Sequence, residues 1–175
     1  MRSMKIYIAS DHAGFPLKEK LKIFLAEQGH EVVDKGAYQH DESDDYPDFV
    51  VPVAQLVSRE PASRGIILGG SGQGEAMAAN RVDGVRAALY YGPPCLRAGE
   101  AGGPLDIVKL SREHNDANIL SLAARFVNEE EAKEAVMLFL ETPFGGDARH
   151  QRRIKKIDEL TGDENMSHNP LSSNI

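Results

Sequence analysis

One cysteine, no tryptophan and a shortage of positive charge set the first limits on this 175-residue chain. A lone thiol, Cys95, excludes an internal disulfide and a cysteine-rich zinc site, and it fits a reducing compartment, so the cytoplasm is the expected location. With 20 Lys and Arg against 27 Asp and Glu, the formal net charge is −7. That balance excludes a generic nucleic-acid or anionic-membrane surface, which needs excess cations to displace counterions, so any anion site must be local. No apolar run approaches the roughly 20 residues of a membrane span, and residues 1–10 lack the long apolar stretch of an export signal. The six histidines include no His-x-x-x-His pair, so no metal site is expected. Cys95 sits in an irregular stretch without a basic neighbour, which makes it a poor candidate nucleophile. There is no internal repeat, and the length suits one domain.

What the chain does have is a regular alternation of strand and helix patterns. Residues 5–10 (KIYIAS) read as a strand, and Leu17, Leu21, Phe24 and Leu25 then recur at helical spacing, with Lys18, Glu19, Lys20 and Lys22 off that face and Gly29 as the stop. Residues 31–34 form a second strand, followed by a helix after Pro47 with Phe49, Val50, Val53 and Val57 on one side. Residues 65–68, 85–91 and 118–122 supply three more strands. Residues 129–140 supply a helix whose Ala132, Ala135, Val136 and Phe139 face inward, and residues 149–160 a basic helix. The expectation is an α/β fold with a mainly parallel five-stranded sheet, helices on both faces, and ligands at the carboxyl ends of the strands. Residues 92–105, rich in Gly and Pro, are expected to be a surface loop inserted in a domain of residues 1–160. Residues 161–175 lack an apolar face and are expected to form a flexible tail dispensable for the fold.

The polar residues fall on the predicted rim. The run Gly69-Gly70-Ser71-Gly72-Gln73-Gly74-Glu75 follows a strand and opens a helix, a form in which backbone N–H groups converge on an anion. It lacks the Gly-Lys-Ser/Thr ending of a nucleotide-binding loop, and a tight strand-to-helix turn explains it equally well. Ser71 inside the loop and Glu75 directly after it favour chemistry, because oxyanion stabilisation beside a base is what enolisation requires. Asp11 and His12 lie at the tip of the first strand, where a helix cap and simple exposure are the plain alternatives. His114, Asn115 and Asp116 end a helix-like stretch, and a C-terminal cap accounts for Asn115. Arg125, Arg149, Arg152 and Arg153 form a local cationic set suited to phosphate.

Four segments taken together resemble the type B ribose-5-phosphate isomerases, a family that includes sugar-phosphate isomerases for allose and galactose 6-phosphates. They are Ser10-Asp11-His12-Ala13-Gly14, Gly69 to Glu75 with Ala78-Ala79-Asn80, Ser111 to Asn118, and Arg149-His150-Gln151-Arg152-Arg153. The resemblance runs from about Lys5 to Leu160. It implies a Rossmann-like three-layer sandwich, a homodimer or homotetramer with active sites between subunits, and no metal or cofactor. By position it implies that His114 opens the furanose ring, that Glu75 moves the proton between C1 and C2, and that Gly70, Gly72, Gln73 and Gly74 hold the enediolate oxygens. Ser71 would assist proton movement, Asp11 and His12 would contact substrate, and Asn115 would polarise the reacting end. Arg125, Arg149 and Arg153 would bind phosphate, some of them from a neighbouring subunit. One branch of the family carries its base as a cysteine where Gly69 stands; Glu75 places this chain in the glutamate branch.

The expected reaction is therefore the interconversion of ribose 5-phosphate and ribulose 5-phosphate. The alternatives are the same chemistry on erythrulose 4-phosphate, allose 6-phosphate or galactose 6-phosphate, a non-catalytic phosphosugar-binding subunit, and a nucleotide-binding module. The segment 92–105 is longer than family members carry, and is either inert or a specificity element.

Overall fold

The structure, a computed structural model, describes residues 3–93, 95–98 and 104–161. In chain order the elements are β1 (Lys5–Ser10), α1 (Phe15–Glu27), β2 (Glu31–Asp34), α2 (Pro47–Arg59), β3 (Arg64–Gly69), α3 (Gln73–Ala79) and β4 (Ala87–Tyr90). They continue with β5 (Cys95–Ala98), β6 (Pro104–Leu105), α4 (Ile107–Asn115), β7 (Ile119–Ala123), α5 (Glu129–Glu141) and α6 (Ala148–Thr161). Five strands build one wholly parallel sheet in the order β2-β1-β3-β7-β4. Among the described residues no helix is long and apolar enough to cross a membrane.

Period-two alternation sorts the core into two layers. Ile6, Ile8, Ile66, Leu68, Leu120 and Leu122 point to the face covered by α1, α4 and α5, where Leu21, Leu25, Val108, Ala132, Val136 and Phe139 complete one cluster. Tyr7, Ala9, Ile67 and Ile119 point the other way, onto Val50, Val53 and Val57 of α2 and Ala79 of α3. Of the apolar stripes expected on α1, α2 and α5, Leu17, Phe24 and Phe49 are half-buried and the rest are buried. Phe139 is fully enclosed, so truncating it to Ala costs about 3–5 kcal/mol.

The topology places the site. β1 has β2 on one side and β3 on the other, so the crossovers leave it in opposite directions and a crevice opens at the carboxyl tips of β1 and β3. Register brings Ser10 opposite Leu68 and Gly69 opposite Ala123, which lines up the loops that follow. α1 starts hard against β3: a Cβ on Gly14 would lie 2.7 Å from the Leu68 Cβ. Only glycine allows that approach.

Four expectations need correction. Lys18 was placed off the apolar face of α1, but it is fully buried, its Nζ 2.9 Å from both carboxylate oxygens of Asp34 and 2.5 Å from the Ala37 carbonyl. The long aliphatic stem makes that burial possible, and Asp34 supplies the counter-charge. Burial alone would raise the Asp34 carboxyl, but hydrogen bonds from Lys22, Lys18 and the Gly36 N–H outweigh it and hold it below the usual range. The described part of segment 92–105 is not loop throughout, since β5 and β6 pair as two short antiparallel strands apart from the main sheet. Backbone pairing needs no burial pattern, so a Gly/Pro-rich composition did not reveal it.

Asp11 does not cap α1 at the N-cap position. Gly14 stands there, and Asp11 accepts the Gly14 N–H at 3.0 Å from three residues upstream. Asn115 is the last residue of α4; the cap is Asp116, in the left-handed region at φ 45°. Residues 162–175, most of the expected tail, lie outside the described residues.

Candidate active site

The glycine loop owes its shape to what crowds it. Gly72 has φ 70° and caps α3, and a Cβ there would meet Leu89 and the backbone of Leu122; both conditions require glycine. Its carbonyl accepts the Ser121 hydroxyl at 2.7 Å. The Gly69 and Gly70 carbonyls accept the N–H groups of Ala124 and Arg125 at 2.9 and 3.2 Å. The loop is thereby fastened to the segment leaving β7. α3 spans only seven residues.

Glu75 lies in the first turn of α3, only 4% exposed, with its carboxylate folded back over Gly69. Burial pushes its carboxyl up, a backbone hydrogen bond opposes, and the charge of Asp11 adds to the rise. The Arg125 guanidinium carbon lies 3.2 Å from where a Cβ on Gly70 would be, and the Tyr46 ring 2.8 Å from a Cβ on Gly74. Each glycine therefore makes room for a side chain.

Asp11, His12, Gly70, Ser71, Gly74, Glu75 and Arg125 line one cavity of about 550 Å³, together with Ala13, Tyr46 and Phe126. His12 and Arg125 also line an adjoining hollow with His40 and Glu42. Gly72 and Gln73 belong to the loop without facing the cavity, and the Gln73 N–H lies 3.4 Å from the Ser71 hydroxyl. Asp11 is buried, and His12 is held to Asp44 through both its backbone N–H and its ring.

The other four expected residues are elsewhere on the chain. His114, near the end of α4, stacks on His150 of α6 with centroids 4.3 Å apart and planes 10° apart. Burial holds the His150 imidazole below its ordinary value, and His114 and Arg149 add to that. Arg149 and Arg153 are exposed on the first turns of α6, whose start is fixed by Asp147 accepting the Arg149 N–H at 2.8 Å. Asn115 lines a second cavity of about 730 Å³ with Arg86, Ile154, Ile157 and Leu160. The expected set is thus two constellations: a glycine-loop half with Glu75 and Arg125, and an α4–α6 half with His114, Asn115, Arg149 and Arg153.

Asp44, Tyr46 and Phe126 at or beside the cavity were not anticipated. Asp44 and Tyr46 sit in an acidic stretch (DESDDYPD) that reads as solvated loop ahead of Pro47. Phe126 is 66% exposed and stands 6.5 Å from the Tyr91 ring, just before the inserted segment begins.

Known proteins share this sequence pattern and this fold. The sequence pattern of the ribose/galactose isomerase family matches residues 6–157. A ribose-5-phosphate isomerase B from Mycolicibacterium paratuberculosis is 40% identical over 156 residues, spanning 89% of this chain and 91% of its own. The ribose 5-phosphate isomerase B structure from Thermotoga maritima superposes with a TM-score of 0.77 at 47% identity, covering 90% of this chain and 99% of the other. That of Mycoplasma genitalium ribose-5-phosphate isomerase B with bound ribulose-5-phosphate does so with a TM-score of 0.80 at 39% identity, covering 93% and 99%.

Proposed function

The chain belongs to the ribose/galactose isomerase family, and we propose that it interconverts ribose 5-phosphate and ribulose 5-phosphate through an enediolate. The observation that carries this reading is the buried Glu75 carboxylate beside a glycine loop, in a cavity that also holds Arg125. An aldose-to-ketose step needs a base at C2, a cradle for the oxygen that becomes anionic, and a hold on the phosphate. Glu75, the Gly70–Gly74 amides and Arg125 supply these in turn.

In the forward direction His114 protonates the ring oxygen as the bond from it to C1 breaks, while the anomeric hydroxyl releases its proton to solvent and becomes the aldehyde. Glu75 then removes the C2 proton, and the electron pair moves through C1 onto O1, where the loop amides meet the charge. Ser71 carries the hydroxyl proton from O2 to O1, and Glu75 returns its proton to C1, leaving a ketone at C2. A carboxyl raised by burial is better matched to both halves of that transfer at neutral pH than an ordinary one. Asp11 and His12 contact the substrate from the tip of β1, and Asn115 polarises the reacting end.

The separation of the two constellations supports a site shared between copies. The α4–α6 half presents His114, Asn115, Arg149 and Arg153 away from the Glu75 cavity. α6 also leaves Ile157 and Leu160 50% and 74% exposed, as a face that a neighbouring protomer would cover. A homodimer, or a homotetramer built from it, then completes each site with one half from each copy. The compartment is the cytoplasm, and residues 1–160 act as one domain with the insertion 92–105.

Phe126 on the cavity wall, beside the start of the insertion, favours a second reading: the same chemistry on a sugar phosphate of another length. The test is kcat/KM for ribose 5-phosphate beside erythrulose 4-phosphate, allose 6-phosphate and galactose 6-phosphate. Preference for ribose 5-phosphate supports the proposal, and preference for another sugar transfers the mechanism to that sugar. Binding without hydrogen exchange into solvent would leave only a phosphosugar-binding protein.

A further inference from the structure

His12 is held at two points by one atom. Asp44 Oδ1 accepts the His12 backbone N–H at 3.0 Å and lies 2.7 Å from its ring Nδ1. The two residues are 32 apart in sequence, so the contact ties the loop between β2 and α2 onto the tip of β1. With Nδ1 engaged, Nε2 is the ring nitrogen left for a ligand in the cavities that His12 and Arg125 both line.

The Asp44 side chain is only 7% exposed, and its Oδ2 is buried without a hydrogen-bond partner among the described residues. Capping a backbone N–H does not call for that: Asn or Ser accepts the same bond without stranding a carboxylate oxygen away from water. A buried carboxylate is tolerable beside a positive partner, and the partner in contact is the His12 ring. Such an orienting acidic residue fixes the tautomer and direction of an imidazole.

Building on the isomerase reading above, we propose that Asp44 is a positioning residue of the sugar-phosphate site, holding the His12 main chain and Nδ1 so that Nε2 donates to the substrate. The acidic groups around His12 favour its charged form. The hydrogen bond with Asp44 raises the imidazole above its ordinary value; burial opposes it, the charge of Asp11 adds to the rise, and Arg125 works against it. His40 meets His12 edge-on at 6.2 Å, Asp41 feels both histidines, and Glu42 lines the adjoining hollow.

The test is steady-state kinetics with ribose 5-phosphate across pH for the wild type, Asp44→Asn, His12→Gln and the double variant. Asp44→Asn keeps the size and the acceptor for the main chain but removes the charge. Its KM at neutral pH should rise on the order of tenfold, the scale of a hydrogen bond to a charged group, with kcat changed by less than about threefold. Because Nδ1 carries the hydrogen that Asp44 accepts, Nε2 donates only when the ring is protonated, so KM climbs as pH passes the His12 pKa. Without the Asp44 charge that climb moves to lower pH. The second ionisation of the phosphate ester, at roughly pH 6, is common to all variants. In a His12→Gln background the Asp44 substitution should add nothing. Asp44→Ser, which also keeps an acceptor, serves if Asp44→Asn melts early. An unshifted climb in a well-folded variant, or an equal loss with and without His12, overturns the proposal alone. A wild type that turns over no sugar phosphate overturns the isomerase reading, and this proposal with it.

Discussion

A β-carbon on Gly69 would fall inside the carboxylate of Glu75, so the two positions compete for one volume at the end of β3. The backbone is bare at 69, and Glu75 folds into the space. The family that this sequence resembles divides on this point, one branch carrying a cysteine at the position of Gly69, and the geometry gives a reason why the two bases do not coexist here.

Gly69→Ala should therefore displace the base without unfolding the chain, since the group it meets is the end of a side chain. We expect kcat to fall on the order of 100-fold, the scale of a misplacement near 1 Å, with a small change in thermal midpoint. Gly69→Cys should be as poor for the same reason, and adding Glu75→Ala to it should recover activity by vacating the volume. Kinetics and melting of the three variants check this; a fully active Gly69→Ala would mean that Glu75 is not held where catalysis needs it.

Glu75→Gln should lower kcat about 1,000-fold or more while leaving ribose 5-phosphate binding largely intact. It should also stabilise the protein at neutral pH. The Glu75 carboxyl is raised on folding, chiefly by burial, so the native state binds that proton more tightly than the unfolded chain, and stability is lost as pH rises through the window between the two values. The variant has no such loss. Thermal midpoints against pH should show it ahead of the wild type at neutral pH, with the gap closing below the ordinary glutamate range.

Lys18→Met should destabilise the fold by about 3 kcal/mol, the scale for breaking a buried ion pair by removing one partner. Asp34 would keep Lys22 and the Gly36 N–H, but the Ala37 carbonyl would lose its donor. Urea denaturation measures the change, and a midpoint equal to the wild type would show the pair to be replaceable by packing alone.

Local pattern made the layered fold legible, because alternation in strands such as Ile6-Tyr7-Ile8-Ala9 decides which face each residue covers. It also made half of the candidate site legible: Asp11, His12, the glycine loop and Arg125 each follow a strand, and strand tips converge in a parallel sheet. What was hidden depends on partners distant in sequence. Lys18 looks solvent-facing until Asp34 is known to lie opposite. Asp44 and Tyr46 look like loop residues until they meet His12 and Gly74. His114 reads as a member of the site only by family resemblance, and resemblance does not say which copy of the chain it serves.

Subunit exchange tests the central claim, that a Glu75 half and a His114–Arg149 half from different copies make one site. Glu75→Gln and His114→Gln proteins, each nearly inactive, are mixed in equal amounts, dissociated and reassembled, and ribose 5-phosphate turnover is measured. Random pairing into two-fold dimers gives one intact site in each mixed dimer, so activity should return to about a quarter of the wild-type value. Activity that stays at the level of the separate variants after verified exchange would contradict a shared site.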